Sequence, residues 1–194
     1  MKTRLVVLAS GNGTNLQAII DACSNGTIDG RVVAVISDRA DAGALERARS
    51  GSIPAIVLVR NQDETRPRYD ARLAGEVIAY QPAWVVLAGW MRILTMEFLA
   101  HFPERVINLH PALPGEFAGT KAIERALAAG VDRTGVMVHL VPDEGVDDGP
   151  ALATEVVPIA PTDTLDTLTE RVHAAEHRVL VSTLARLCAQ EINA

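Results

Sequence analysis

The stretch RLVVLASGNGTNLQAII, Arg4 to Ile20, decides how the fold is read. Arg4 to Ala9 is an apolar run that passes straight into a glycine loop, as expected of a strand buried on both faces. Leu16, Ile19, Ile20 and Cys23 then recur at the spacing of one helix face. Gly11 and Gly13 lie between the two. In such a strand–loop–helix connection, backbone N–H groups can face an anion, and the helix dipole favours negative charge there. Glycine permits close approach and positive φ. Thr14 or Asn15 is also placed to cap the helix, a structural role compatible with anion binding. The loop is not a dinucleotide fingerprint, because Leu16 holds the place of the third glycine. Nor is it a Walker loop, since no Gly-Lys-Ser/Thr follows. Ser37-Asp38 ends the next strand where a dinucleotide-binding acid could stand, but one acid is not a fingerprint.

Working outward, the alternation continues. Arg31 to Ser37 predicts a second strand, Gly43 to Ser50 a short helix ending at Gly51, and AIVLV from Ala55 a third strand. Arg66 to Tyr80 reads as a helix closed by Pro82. WVVLAG from Trp84 and RVINLH from Arg105 give a fourth and a fifth strand. A helix from Ala122 to Ala129 precedes TGVMVHLV and ALATEVVPI, two strands separated by a loop rich in Gly, Asp and Pro. The chain closes on a long helix whose stripe carries Leu165, Leu168, Val172, Val179, Thr183 and Leu187. The expected fold is α/β: an open, mostly parallel twisted sheet, right-handed crossovers, and helices on both faces. No linker, repeat or low-complexity tract interrupts it, so residues 1–194 are expected to form a single domain.

Composition narrows the function classes. The 194 residues are 48% hydrophobic and 22% charged, ordinary for a globular chain. No apolar run is long enough to cross a bilayer. The basic, apolar N-terminus leads into the glycine loop rather than a cleavage site, so a cytoplasmic protein is expected. A net charge of −6 argues against nucleic-acid and anionic-membrane partners. It leaves room for an anionic small molecule held by a few local groups. Cys23 and Cys188 have neither metal-ligand nor redox spacing, and Cys23 reads as a core residue.

VINLHPALPGEFAG brings Asn108 and His110 to the carboxyl end of the fifth strand, where open α/β sheets carry their chemistry. Residues two apart on a strand share a face, so an amide and an imidazole converge. That pair suits stabilisation of a developing oxyanion, and the histidine can exchange protons near neutral pH. VPDEGVDDGP then places Asp143, Glu144, Asp147 and Asp148 between two strands. Its spacing does not match an EF-hand. A plain acidic turn and an aspartate paired with His110 both remain open on spacing alone.

SGNGTNLQAII, AGWMRIL, and NLHP with a later VDDGP together resemble the glycinamide ribonucleotide formyltransferase family of purine biosynthesis. The resemblance runs from the first strand through AAEHRVL, nearly the whole chain. It implies a Rossmann-like formyltransferase fold and transfer of the formyl group of 10-formyltetrahydrofolate to the amine of glycinamide ribonucleotide. It implies a catalytic trio of Asn108, His110 and Asp147, with His110 held protonated by Asp147. Gly13, Thr14, Asn15 and Glu176 match positions that bind the ribonucleotide. Arg66, Met91, Arg92, Ile93, Leu94 and Asn108 match the folate side, as does the loop Pro142, Asp143, Glu144, Gly145, Val146 and Asp147. No metal is implied. The partners are the two small molecules, and the protein is expected to be a monomer or homodimer.

The chain departs from the family pattern at three places. HPALPGEFAG stands where relatives read His-Pro-Ser-Leu-Leu-Pro, so the proline comes one position early and Gly115 takes its place. Lys121 stands where a histidine is usual. The acidic loop is one residue longer at Pro142. The chain also ends soon after the last helix, without a C-terminal extension many relatives carry. Other readings within reach are formyltetrahydrofolate hydrolase, methionyl-tRNA formyltransferase and a sugar-nucleotide formyltransferase. A non-catalytic nucleotide- or folate-binding regulator comes from a different class.

Overall fold

The computed structural model describes residues 2–192. Strand β1, Thr3–Leu8, leads through the glycine loop into helix α1, Thr14–Ser24. Then follow β2, Gly30–Ser37; α2, Gly43–Ser50; β3, Ala55–Val57; and α3, Arg66–Ala79. Strand β4, Trp84–Leu87, precedes the single-turn α4, Met96–Leu99, and β5, Val106–His110. The last elements are α5, Ala122–Ala128; β6, Arg133–Leu140; β7, Ala151–Pro158; and α6, Leu165–Ile192. One seven-stranded sheet runs β3-β2-β1-β4-β5-β6-β7. The pairs from β3 to β5 are parallel, whereas β6 and β7 run antiparallel.

The continuous apolar strands are explained by two buried faces. Leu5 and Val7 point into a core shared with α1 and α6, while Val6 and Leu8 point into one shared with α3 and α4. Trp84 and Val86 alternate with Val85 and Leu87 in the same way. Along α6, Leu168, Val172, Val179, Leu184 and Leu187 are buried, each contributing roughly 1.5–3 kcal/mol relative to an exposed position.

Some local expectations are corrected. Leu165 starts α6 but is 41% exposed, so the buried stripe begins at Leu168. β3 stops at Val57, short of the expected Leu58 and Val59: Leu58 still packs against the core, but Val59 is exposed and the polar run begins at Arg60. The N-cap of α1 is Gly13, not Thr14 or Asn15, and no side chain caps it. Cys23 is a core residue, as expected.

Candidate active site

Because β1, β4 and β5 are parallel neighbours, the loops after all three open at one edge of the sheet. Ser10 N–H donates to the Gly89 carbonyl at 3.0 Å, and Ser10 Oγ accepts from Met91 N–H at 3.0 Å. These bonds tie the glycine loop to the segment carrying Met91 to Leu94. That segment, Asn108, His110 and the acidic loop line a cleft of about 390 Å³.

At its floor, Asp147 collects the polar groups. Asn108 Nδ2 donates to Asp147 Oδ1 at 2.9 Å, and Gly119 N–H donates to Oδ2 at 2.8 Å. His110 Nδ1 lies 3.2 Å from Oδ2. Asp147 itself sits at φ +54, a left-handed conformation that few non-glycine residues adopt without supporting contacts. The acidic loop returns to this position because Gly149 packs on the Leu140 carbonyl, where a Cβ would collide. Of the two readings left open for this loop, the aspartate paired with His110 is the one observed.

His139 belongs to the cluster and was not anticipated from the sequence. It lies directly opposite Asn108 in the antiparallel β5–β6 register, with its Nε2 3.1 Å from Asn108 Nδ2. Its Nδ1 lies 2.8 Å from the Leu140 carbonyl, which only accepts. Nδ1 therefore carries a proton, and in the neutral ring the Nε2 lone pair faces the Asn108 amide. The same Nε2 lies 3.5 Å from Asp147 Oδ1.

Burial pushes the His110 imidazole below its ordinary value; Asp147 pulls it up and His139 pulls it down. The net direction is downward, so the expectation that Asp147 keeps His110 charged is corrected: desolvation of the ring outweighs one carboxylate. His110 Nε2 is buried and has no hydrogen-bond partner among the described residues. Burial pushes the Asp147 carboxyl up, but His139, the Gly119 N–H and His110 outweigh it and hold it below the usual carboxylate range.

The structure brings most of the expected folate-side residues together. Met91, Arg92, Ile93, Leu94, Asp143, Gly145 and Val146 line the cleft with the trio. Leu94 is buried, while Met91 and Ile93 stay exposed to the opening. Arg92 turns its guanidinium to Asp38, 2.7 Å away, and over the Tyr69 ring. Arg66, Pro142 and Glu144 are not among the lining residues. Arg66 instead faces Glu144 at 3.8 Å across solvent, since both are long charged side chains that keep their hydration. Lys121 lines the cleft, yet its ammonium is exposed and pairs with Glu124 at 3.1 Å on the next turn.

On the other core face, Asn15 Nδ2 donates to Glu176 Oε2 at 3.2 Å, joining α1 to α6. Glu176 is buried, and desolvation raises its carboxyl above the ordinary value. Gly13 has φ +81, and a Cβ there would stand 2.7 Å from Ala44 Cα.

Residues 3–184 match the formyl transferase family. The chain belongs to the formyl transferase family. It is 45% identical to the phosphoribosylglycinamide formyltransferase of Schizosaccharomyces pombe, with 96% of this chain and 98% of that protein covered. It is 44% identical to the enzyme of that name from Escherichia coli K12, covering 90% of this chain and 82% of that one. Among solved structures, it is similar to glycinamide ribonucleotide transformylase 1 from Symbiobacterium toebii. The TM-score is 0.94 and the identity 42%, covering 97% of this chain and 89% of that one. Phosphoribosylglycinamide formyltransferase from Bacillus halodurans gives a TM-score of 0.93 at 38% identity, with 97% of both chains covered. Among the described residues of this formyl transferase, no helix is long and apolar enough to cross a membrane.

Proposed function

We propose that this protein transfers the formyl group of 10-formyltetrahydrofolate to the amine of glycinamide ribonucleotide in purine biosynthesis, working as a single domain. The observation that carries the reading is the convergence of Asn108, His110 and Asp147 on one point of an apolar-walled cleft. The formyl donor lies along Met91 to Leu94 and the acidic loop. The ribonucleotide lies on the glycine loop, with its phosphate at Gly13 and Thr14 and with Asn15 and Glu176 beside it. The convergence of these three side chains favours an enzyme over a non-catalytic regulator.

The chemistry follows from the groups present. The substrate amine attacks the formyl carbon, giving a tetrahedral centre with negative oxygen and positive nitrogen. His110 enters neutral, takes a proton from that nitrogen, and then donates through Nε2–H. The Asn108 amide turns an N–H to the oxyanion. The C–N bond to folate breaks, and the departing nitrogen receives the proton that His110 holds. Asp147 fixes the His110 tautomer and stabilises the imidazolium while it exists. Donors aimed at charge that exists only along the reaction path lower the barrier without tightening substrate binding.

The test is formyl transfer by Asn108→Ala, His110→Ala and Asp147→Asn proteins whose folding is checked by circular dichroism. Each is expected to lose about a hundredfold or more in kcat with little change in either KM. Near-normal turnover by folded His110→Ala would remove the trio from the mechanism.

A further inference from the structure

Helix α2 is bound to the glycine loop through the loop's carbonyl groups. Ala44 N–H donates to the Gly11 carbonyl at 3.1 Å. Arg47 Nε donates to the Asn12 carbonyl at 2.9 Å, and Arg47 Nη2 donates to Asn12 Oδ1 at 2.8 Å. The remaining nitrogen, Nη1, donates to Gln17 Oε1 on α1 at 3.3 Å. The approach is close enough that a Cβ on Gly43 would stand 3.0 Å from the Asn12 carbonyl, and one on Gly13 2.7 Å from Ala44 Cα.

A trans peptide is planar, and its C=O and N–H point in opposite directions. The Gly11 carbonyl shares a peptide unit with Asn12 N–H, and the Asn12 carbonyl shares one with Gly13 N–H. Both carbonyls are held against α2, so both N–H groups are turned away from it. Neither N–H donates to another group among the described residues. Two successive amides aimed the same way beside a left-handed residue form an anion-binding concavity, and Gly13 supplies that residue with φ +81.

We infer that Arg47 is a positioning residue for phosphate recognition: its fork locks the Asn12–Gly13 peptide so that the Gly13 amide faces the substrate phosphate. The inference rests on the reading of the glycine loop as the phosphate site. Without the fork, the peptide is free to turn its carbonyl toward the anion. A lysine in its place supplies charge but no planar pair of donors. The geometry therefore separates positioning from simple attraction.

The experiment measures, by calorimetry, binding of glycinamide ribonucleotide, its dephosphorylated nucleoside and the formyl donor. The proteins are the wild type, Arg47→Met and Arg47→Lys, each matched in melting temperature. The wild type is expected to favour the phosphorylated ligand. In Arg47→Met that ligand weakens about tenfold or more, the size expected for losing a hydrogen bond to a charged group. The nucleoside and the formyl donor keep their affinities, and the ribonucleotide KM rises far more than kcat falls. Arg47→Lys behaves like Arg47→Met. Full phosphate discrimination in Arg47→Met overturns the positioning role, and its rescue by Arg47→Lys replaces positioning by charge attraction. A wild type that binds nucleotide and nucleoside equally overturns the phosphate reading of the loop itself.

Discussion

Replacing Gly13 by alanine tests how tightly the phosphate loop is built. A residue with a Cβ loses roughly 1–2 kcal/mol at left-handed φ, and Gly13 stands at +81. The new Cβ would lie 2.7 Å from Ala44 Cα and 2.8 Å from Ala44 Cβ. The first of these is backbone, so α2 must move, and overpacking of this kind costs about 1–3 kcal/mol. The lower entropy of an unfolded alanine returns about 0.4–1 kcal/mol. The balance centres near 3 kcal/mol, which for a chain of this size lowers Tm by roughly 6–12 °C. Gly11 is the internal control, since a Cβ there meets nothing within 4 Å and its φ is not positive. Gly11→Ala should stay within about 0.5 kcal/mol of wild type. Thermal melts and the KM for each substrate check both effects. Gly13→Ala should also raise the ribonucleotide KM while sparing the formyl donor. Wild-type melting and KM in Gly13→Ala, or equal damage from Gly11→Ala, would refute the reasoning.

Two further outcomes follow from the electrostatics. Because neutral His110 accepts the proton and burial holds its pKa below the ordinary 6.5, kcat/KM should fall only as pH drops below about 6.5. Asp147 pulls that pKa upward, so in Asp147→Asn the residual activity should show its acid limb at lower pH; a shift to higher pH would contradict the assignment. Lys121 is exposed, bound to Glu124, and adopts φ +59. Lys121→His should leave the pH profile superimposable on wild type, and Lys121→Gly should raise stability by up to about 1 kcal/mol in a melt.

The parts of this fold legible in the sequence are those with a long periodic signal. β1, β2 and β4 read as strands because burial on both faces makes Leu5–Leu8, Val32–Ile36 and Trp84–Leu87 continuously apolar, and in β5 the polar Asn108 and His110 come only towards the carboxyl end. α1, α3 and α6 carry enough turns for a stripe to show. α4 escaped, since the four residues of Met96–Leu99 make barely one turn. Thr14 and Asn15 looked like caps because their side chains suit that role, but Gly13 takes it by entering the left-handed region. At the site, Asn108 and His110 were readable because spacing of two on a strand fixes their common face. Asp147 was reached through the family resemblance, as loop spacing could not choose among four carboxylates. His139 was missed because its place opposite Asn108 depends on the antiparallel register of β5 and β6, which no local pattern encodes. Arg92 was assigned to the cleft by its segment, whereas its charge is taken up by Asp38. The direction of the His110 shift also depends on tertiary burial.

The most direct test of the account follows a labelled formyl group from the folate donor with the purified wild-type protein, with glycinamide ribonucleotide present and absent. The account predicts that label moves to the ribonucleotide amine in step with donor consumption, and that the donor persists when the amine is withheld. Release of labelled formate at the same rate without the amine would contradict it and identify a hydrolase, and tight binding of both ligands with no transfer would identify a regulator.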